Sequence, residues 1–172
     1  EAPVMPADTG VNVAENSTAV GTFAGTDVEP ADTLTYTLSG VDAALFNINS
    51  ATGEVTFIAA PNFESPGDVG GDNVYDITVT ATDDGTGTLS DSQNIAVTVT
   101  DENEAPVMPA DTGVNVAENS TAVGTFAGTD VDTADTLTYT LSGVDAALFN
   151  INSATGDVTF IAAPNLESPG DV

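Results

Sequence analysis

The residues Glu1–Val69 return as Glu104–Val172, displaced by 103 positions along the chain. Four positions differ: Glu29 becomes Asp132, Pro30 becomes Thr133, Glu54 becomes Asp157 and Phe63 becomes Leu166. The folding unit must therefore be one that is copied about every hundred residues, a domain-sized period far above those of helical or leucine-rich solenoids. The second copy stops at Val172, so nothing in it corresponds to Gly70–Asn103. The expectation is one whole repeat, residues 1–103, and an incomplete one, residues 104–172, in a piece of a longer protein. Duplicating whole domains lengthens a molecule without adding chemistry, which points to an array.

Within the repeat the apolar residues alternate with a period of two, and no segment keeps a helical period. Leu34, Tyr36 and Leu38 share one face while Thr35 and Thr37 take the other. Tyr75, Ile77, Val79 and Ala81 form a second inward row, and Ile95, Val97 and Val99 a third. Shorter strands are expected at Val11–Val13, Ala19–Phe23, Phe46–Ile48 and Glu54–Ile58. Turn residues separate them at Ala51-Thr52-Gly53, Pro66-Gly67-Asp68, Gly70-Gly71-Asp72 and Asp83-Asp84-Gly85,. Seven short strands in about a hundred residues predict an all-β fold, a Greek-key sandwich of two sheets. The fold class is thus tandem β-sandwiches with the second truncated. Repeat two lacks the last two strands, so its apolar face and a strand edge would be uncovered, and marginal stability is expected of it alone.

Composition narrows the chemistry. Twenty-seven acidic residues meet no Lys, Arg or His, a formal charge of −27. No basic group can pair with phosphate, which excludes nucleic acid as a partner and a basic patch for anionic lipid. The hydrophobic content of 41% is too high for a chain disordered by its charge,. No apolar run is long enough for direct membrane insertion. Without Cys, His or Lys there is no thiol nucleophile, imidazole base or Schiff-base amine,. Zinc finds no imidazole or thiolate. Oxygen ligands remain, and an all-oxygen set suits calcium, which takes six to eight of them.

The carboxylates gather at strand ends and at the junction Thr100-Asp101-Glu102-Asn103-Glu104-Ala105-Pro106. Two carboxylates about 4 Å apart in an effective dielectric near 20 repel by about 4 kcal/mol, a cost that a bound divalent cation reverses. Six pieces then occur in a characteristic order: Val13–Asn16, Asp27–Glu29, Phe46–Val55, Asn62–Glu64, Ala81–Asp83 and Asp101–Pro106. In this order they resemble a cadherin repeat, over all of repeat one and all of repeat two that is present.

That resemblance implies Ca2+ between successive repeats. By position, Glu15 and Glu64 would serve from repeat one; Asp101, Asn103 and Glu104 from the linker, with the carbonyls of Glu102 and Ala105; and Asp130 and Asp132 from repeat two. Asp27, Glu29 and Asp83 would be the matching upper half-site of repeat one, and Glu118 and Glu167 the lower half-site of repeat two. Asn62 stands where the family usually has Asp, and Glu104-Ala105 where it has Asp-Asn. One or two well-formed ions and a defective or absent third are therefore expected, with affinities in the ~10⁻⁴–10⁻³ M range of extracellular modules.

The function implied is that of a non-catalytic, calcium-stiffened adhesion or spacer array from a large bacterial adhesin, secreted and anchored at the cell surface through parts outside these residues. Its partners would be neighbouring repeats, with homophilic or cell-surface contacts. The competing reading is a carbohydrate-binding module of an extracellular polysaccharide-active protein. The absence of Trp weighs against that reading, since sugar faces are commonly gripped by aromatic platforms. A hydrolase using paired carboxylates is a third class, but the acidic pairs sit at linker positions and no residue is assigned to catalysis.

Overall fold

Seven strands form in the first repeat: β1 (Thr9–Ala14), β2 (Ala19–Thr22), β3 (Thr35–Ser39), β4 (Phe46–Ile48), β5 (Glu54–Phe57), β6 (Val74–Thr82) and β7 (Ser90–Thr100). The computed structural model describes residues 1–167; residues 168–172, the end of the second repeat, lie outside the described residues. The chain divides into two compact units, Glu1–Glu102 and Asn103–Val172. Both are β structures, and the only helical segments among the described residues are single 3₁₀ turns at Ala43–Leu45 and Ala146–Leu148.

In the first unit β1, β7, β6 and β3 make one sheet in that order, and β2, β5 and β4 make the other. β1 runs parallel to β7, with Val11 opposite Val97 and Val13 opposite Val99. β6 is antiparallel to β7, pairing Tyr75 with Val97 and Ile77 with Ile95. β3 lies antiparallel on the other side of β6, with Tyr36 opposite Ala81 and Leu38 opposite Val79. Since side chains alternate across a strand, these registers put all three inward rows on one face. Tyr75, Ile77, Val79, Ala81, Ile95, Val97 and Val99 are all buried.

The smaller sheet closes over that face. Phe46 pairs with Phe57 and Ile48 with Val55. The rings of Phe46 and Phe57 lie 4.3 Å apart, and each meets Tyr75 edge-on, at 6.0 and 5.2 Å. Edge-to-face rings of this kind add about 0.5–1.5 kcal/mol per pair beyond the area they bury. The β4–β5 turn closes through Gly53 at φ +71°, where an added Cβ would come within 2.5 Å of the Phe23 carbonyl oxygen. Only glycine fits there without a shift.

The second unit forms β8 (Ala122–Thr125), β9 (Phe149–Ile151) and β10 (Asp157–Phe160), one sheet in the order β8-β10-β9. It is the copy of β2-β5-β4, with Phe160 opposite Phe149 and Val158 opposite Ile151. The counterparts of β1 and β3, residues 112–117 and 138–142, are not strands. The sequence leaves five strand segments in repeat two and three of them form. The two that fail are those whose ladder partners in repeat one are β7 and β6, and the chain carries one copy of each. Buried backbone groups need hydrogen-bond partners, and a segment without a neighbouring strand has none to offer a sheet.

Candidate cation-binding carboxylates

At the end of β1, Glu15 is carried beside the end of β7 because Ala14 pairs with Thr100 and the Glu15 amide donates to the Thr100 carbonyl at 3.0 Å. The chain then turns through Asn16, at φ 60°, whose amide donates to the Pro61 carbonyl. The Glu15 side chain is 3% exposed. Its Oε2 accepts from the Phe63 amide at 2.9 Å and its Oε1 from the Glu102 amide at 3.0 Å. One carboxylate thus pins the loop that carries Glu64 and the strand exit that carries Asp101. Glu15, Glu64 and Asp101 each bring a carboxylate oxygen within 4.8 Å of the others. Each Glu15 oxygen keeps a second lone pair for a cation. Asn62 turns elsewhere, its Oδ1 accepting from the Ser65 amide at 2.7 Å.

The opposite end of repeat one presents Asp27 and Glu29. Asp27 Oδ1 accepts from the Glu29 amide at 2.9 Å, and Glu29 Oε1 pairs with the Glu1 amine at 2.9 Å. Asp27 Oδ2 and Glu29 Oε2 are shut off from water with no hydrogen-bond partner. The Glu29 amide holds the Asp27 carboxyl below the usual carboxylate range, outweighing the desolvation that pushes it up,. Asp83 is buried, and its Oδ1 caps its own turn, accepting from the amides of Gly85 at 3.2 Å and Leu89 at 3.0 Å. The structure does not bring Asp83 into one close carboxylate group with Asp27 and Glu29.

Repeat two rebuilds the same corner. Asp130 Oδ1 accepts from the Asp132 amide at 3.1 Å, and Asp132 Oδ2 from the Glu104 amide at 2.8 Å. The Glu104 amide takes the place that the Glu1 amine has in repeat one, and Asp132 does the work of Glu29 with a shorter side chain. Asp132 Oδ1 is again shut off from water without a partner. Asn103 Nδ2 donates to the Glu104 carbonyl at 3.2 Å, and Ala105 is exposed beside it. At the far end, Glu118 Oε2 accepts from the Leu166 amide at 3.3 Å, as Glu15 does from Phe63, but Glu118 is exposed. The Glu167 amide donates to Asn165 Oδ1 at 2.9 Å.

An unpaired carboxylate oxygen away from water is costly, and no Lys, Arg or His in this chain can neutralise one,. Three such oxygens, on Asp27, Glu29 and Asp132, fit a cation that takes oxygen ligands,.

Two buried carboxylates escape sequence reasoning. Asp42, 2% exposed, accepts from the Val69 amide through Oδ1 at 2.8 Å and the Asp76 amide through Oδ2 at 2.7 Å. Asp68 accepts from the amides of Asn73 and Asp72, both at 3.1 Å. Desolvation works to raise the Asp68 carboxyl, but the Asp72, Asn73 and Gly71 amides outweigh it and hold it below the usual range. The 68–73 stretch, which reads from sequence as turns, is wrapped around a carboxylate. The visible signal was Asp68-Val69-Gly70-Gly71, where the glycines let the backbone fold back on the aspartate side chain,.

No family model matches the chain. Over 95 residues it is 39% identical to Protocadherin Fat 1 of Homo sapiens, a match covering 54% of this chain and 2% of that protein's length. Among solved structures, human Protocadherin-24 EC1-2 matches 97% of the chain and 80% of its own length, with a TM-score of 0.67 at 21% identity. Drosophila N-cadherin EC1-4 matches 99% of the chain and 43% of its own length, at 0.65 and 22%. Mouse Cadherin-23 EC22-24 matches 99% and 62%, at 0.62 and 20%. The chain has the cadherin-like β-sandwich fold.

Proposed function

We propose that the chain is part of a calcium-dependent, non-catalytic adhesion or spacer array. One observation carries this reading: Asp27 Oδ2, Glu29 Oε2 and Asp132 Oδ1 are held away from water without a donor, in a chain with no basic side chain. Glu15, Glu64, Asp101 and the carbonyl of Glu102 would hold Ca2+ from the end of one repeat. Asn103, Glu104, the carbonyl of Ala105, Asp130 and Asp132 would hold it from the start of the next, and Asp27 and Glu29, with Asp83 from the turn after β6, would be the equivalent starting set of repeat one. The ion supplies two positive charges, so that carboxylates which repel one another become a tie between successive repeats, and the array stiffens. Adhesive partners on cells or on other copies follow from the cadherin-like fold. A large bacterial surface protein, outside the cell, is the setting that this reading implies.

Calorimetric titration and thermal melting of the whole chain test this reading. Sites of ~10⁻⁴–10⁻³ M affinity stabilise the folded state by about 1.5–3 kcal/mol at about 10 mM calcium. Asp27→Asn and Asp132→Asn each remove part of that gain while leaving melting in chelator unchanged. Equal melting in calcium, magnesium and chelator, with no heat of binding, sinks the proposal.

A further inference from the structure

The residue before Glu64 is held at both of its backbone groups. Asn73 Nδ2 donates to the Phe63 carbonyl at 2.8 Å, and the Phe63 amide donates to Glu15 Oε2 at 2.9 Å. The Asn73 carbonyl also accepts from the Val99 amide at 2.9 Å, on the strand whose exit carries Asp101. Glu15 bonds to the Phe63 and Glu102 amides. Glu15 and Asn73 therefore tie together the same two segments, one bringing Glu64 and the other Asp101. Asn73 is itself fixed, at φ 64° and 8% exposed, with its own amide donating to Asp68 Oδ1 at 3.1 Å. The buried Asp68 turn, which lies outside the carboxylate group at Glu15, thus sets the residue that sets the Phe63 carbonyl.

We infer that Asn73 is a positioning residue for the cation site at Glu15, Glu64 and Asp101, on the reading that this site takes Ca2+. Its Oδ1 is buried without a hydrogen-bond partner. An acceptor buried in that way gives back much of what the Nδ2 bond adds to stability. What the side chain supplies is a fixed place for the Phe63 carbonyl, and with it the peptide that leads into Glu64. Only a donor serves here, since a carboxylate at this position would set a second acceptor against that carbonyl. Three carboxylates that repel one another drift apart unless their backbones are held. A site assembled before the ion arrives does not lose affinity to ordering its ligands. Groups that orient metal ligands without touching the metal change affinity by roughly 10- to 100-fold.

Asn73→Gly in the whole chain removes the side chain and keeps a residue at home in this left-handed conformation. Nuclear magnetic resonance reads the outcome residue by residue, first in chelator and then with added Ca2+ alone. In chelator the Phe63 amide should exchange faster while Ile77 and Ile95 in the core exchange as in the parent. With calcium, the affinity read from the amides of Glu15, Glu64 and Asp101 should fall roughly tenfold. In a Glu64→Gln background the same substitution should change affinity no further, because its effect passes through Glu64. An affinity equal to the parent's, an equal loss in the Glu64→Gln background, or unfolding of repeat one in chelator overturns the inference and leaves the calcium reading standing. No response to calcium in the parent chain overturns the calcium reading, and the role of Asn73 with it.

Discussion

Residues 9–14 and 112–117 are both Thr-Gly-Val-Asn-Val-Ala, and residues 35–39 and 138–142 are both Thr-Tyr-Thr-Leu-Ser. In repeat one each is a strand; in repeat two neither is. By contrast the segments that make β2, β4 and β5 form again as β8, β9 and β10, because all three pairing partners lie within the copied sixty-nine residues. The pair of repeats is an internal control for local propensity. Propensity is identical on both sides, so the difference comes from ladder partners and from the apolar face that β6 and β7 cover. The same contrast holds among the carboxylates. Glu15 is buried with two amide donors, while Glu118 is exposed with one among the described residues, since the strand exit that supplies the Glu102 amide follows β7.

The contrast breaks most visibly at the aromatic centre. Phe57→Ala should destabilise repeat one by about 3–5 kcal/mol, whereas Phe160→Ala in the more open repeat two should cost clearly less. Urea unfolding with amide exchange resolved at β6 and β10 measures both; equal losses would show that the two cores are equally complete. Next in size is the buried carboxylate that closes the loop before β6. Asp42→Ala strips acceptors from the amides of Val69 and Asp76 and should cost about 2–4 kcal/mol,. Asp145 is the same residue in repeat two and is exposed, so Asp145→Ala should stay within about 0.5 kcal/mol,. A large effect at Asp145 would mean that repeat two finds partners for it that repeat one does not need.

The smallest effect is a pH dependence. Asp8 accepts from the Asn94 amide at 2.8 Å and side chain at 3.1 Å, and the amide bond first, then the side chain, hold its carboxyl below the usual range. A carboxyl lowered on folding stabilises above its unfolded value, near 3.9, and that stabilisation is lost as pH falls through the lower folded value. Asp8→Asn keeps an acceptor for Asn94 and removes the charge. The parent should therefore exceed this variant in urea midpoint at about pH 6 and lose the advantage by about pH 2. An advantage that persists at low pH would assign the effect to packing. Asp111→Asn should change nothing at either pH, because no second Asn94 is present.

Much of the repeat-one fold was legible. The inward rows at Tyr75–Ala81 and Ile95–Val99 were visible as alternation, and their ends moved by a few residues because ladders extend wherever a neighbour offers a bond,. The carboxylates at Glu15, Glu64 and Asp101 were legible as a set through the order of short motifs, and they do converge. Asp83 stands outside any close carboxylate group with Asp27 and Glu29, and its Oδ1 accepts from two amides of its own turn. Asp42 and Asp68 were missed because their donors are backbone amides, which no side-chain pattern announces.

By itself the sequence determined the period, the two faces of each strand, the turns at glycine and the all-oxygen chemistry, because these are properties of neighbouring residues and of composition. Only the tertiary structure decided which alternating segments become strands, which carboxylates are buried and which oxygens are left without a donor. Those outcomes depend on a partner far along the chain, and a backbone that must satisfy its hydrogen bonds becomes a strand only where that partner is present.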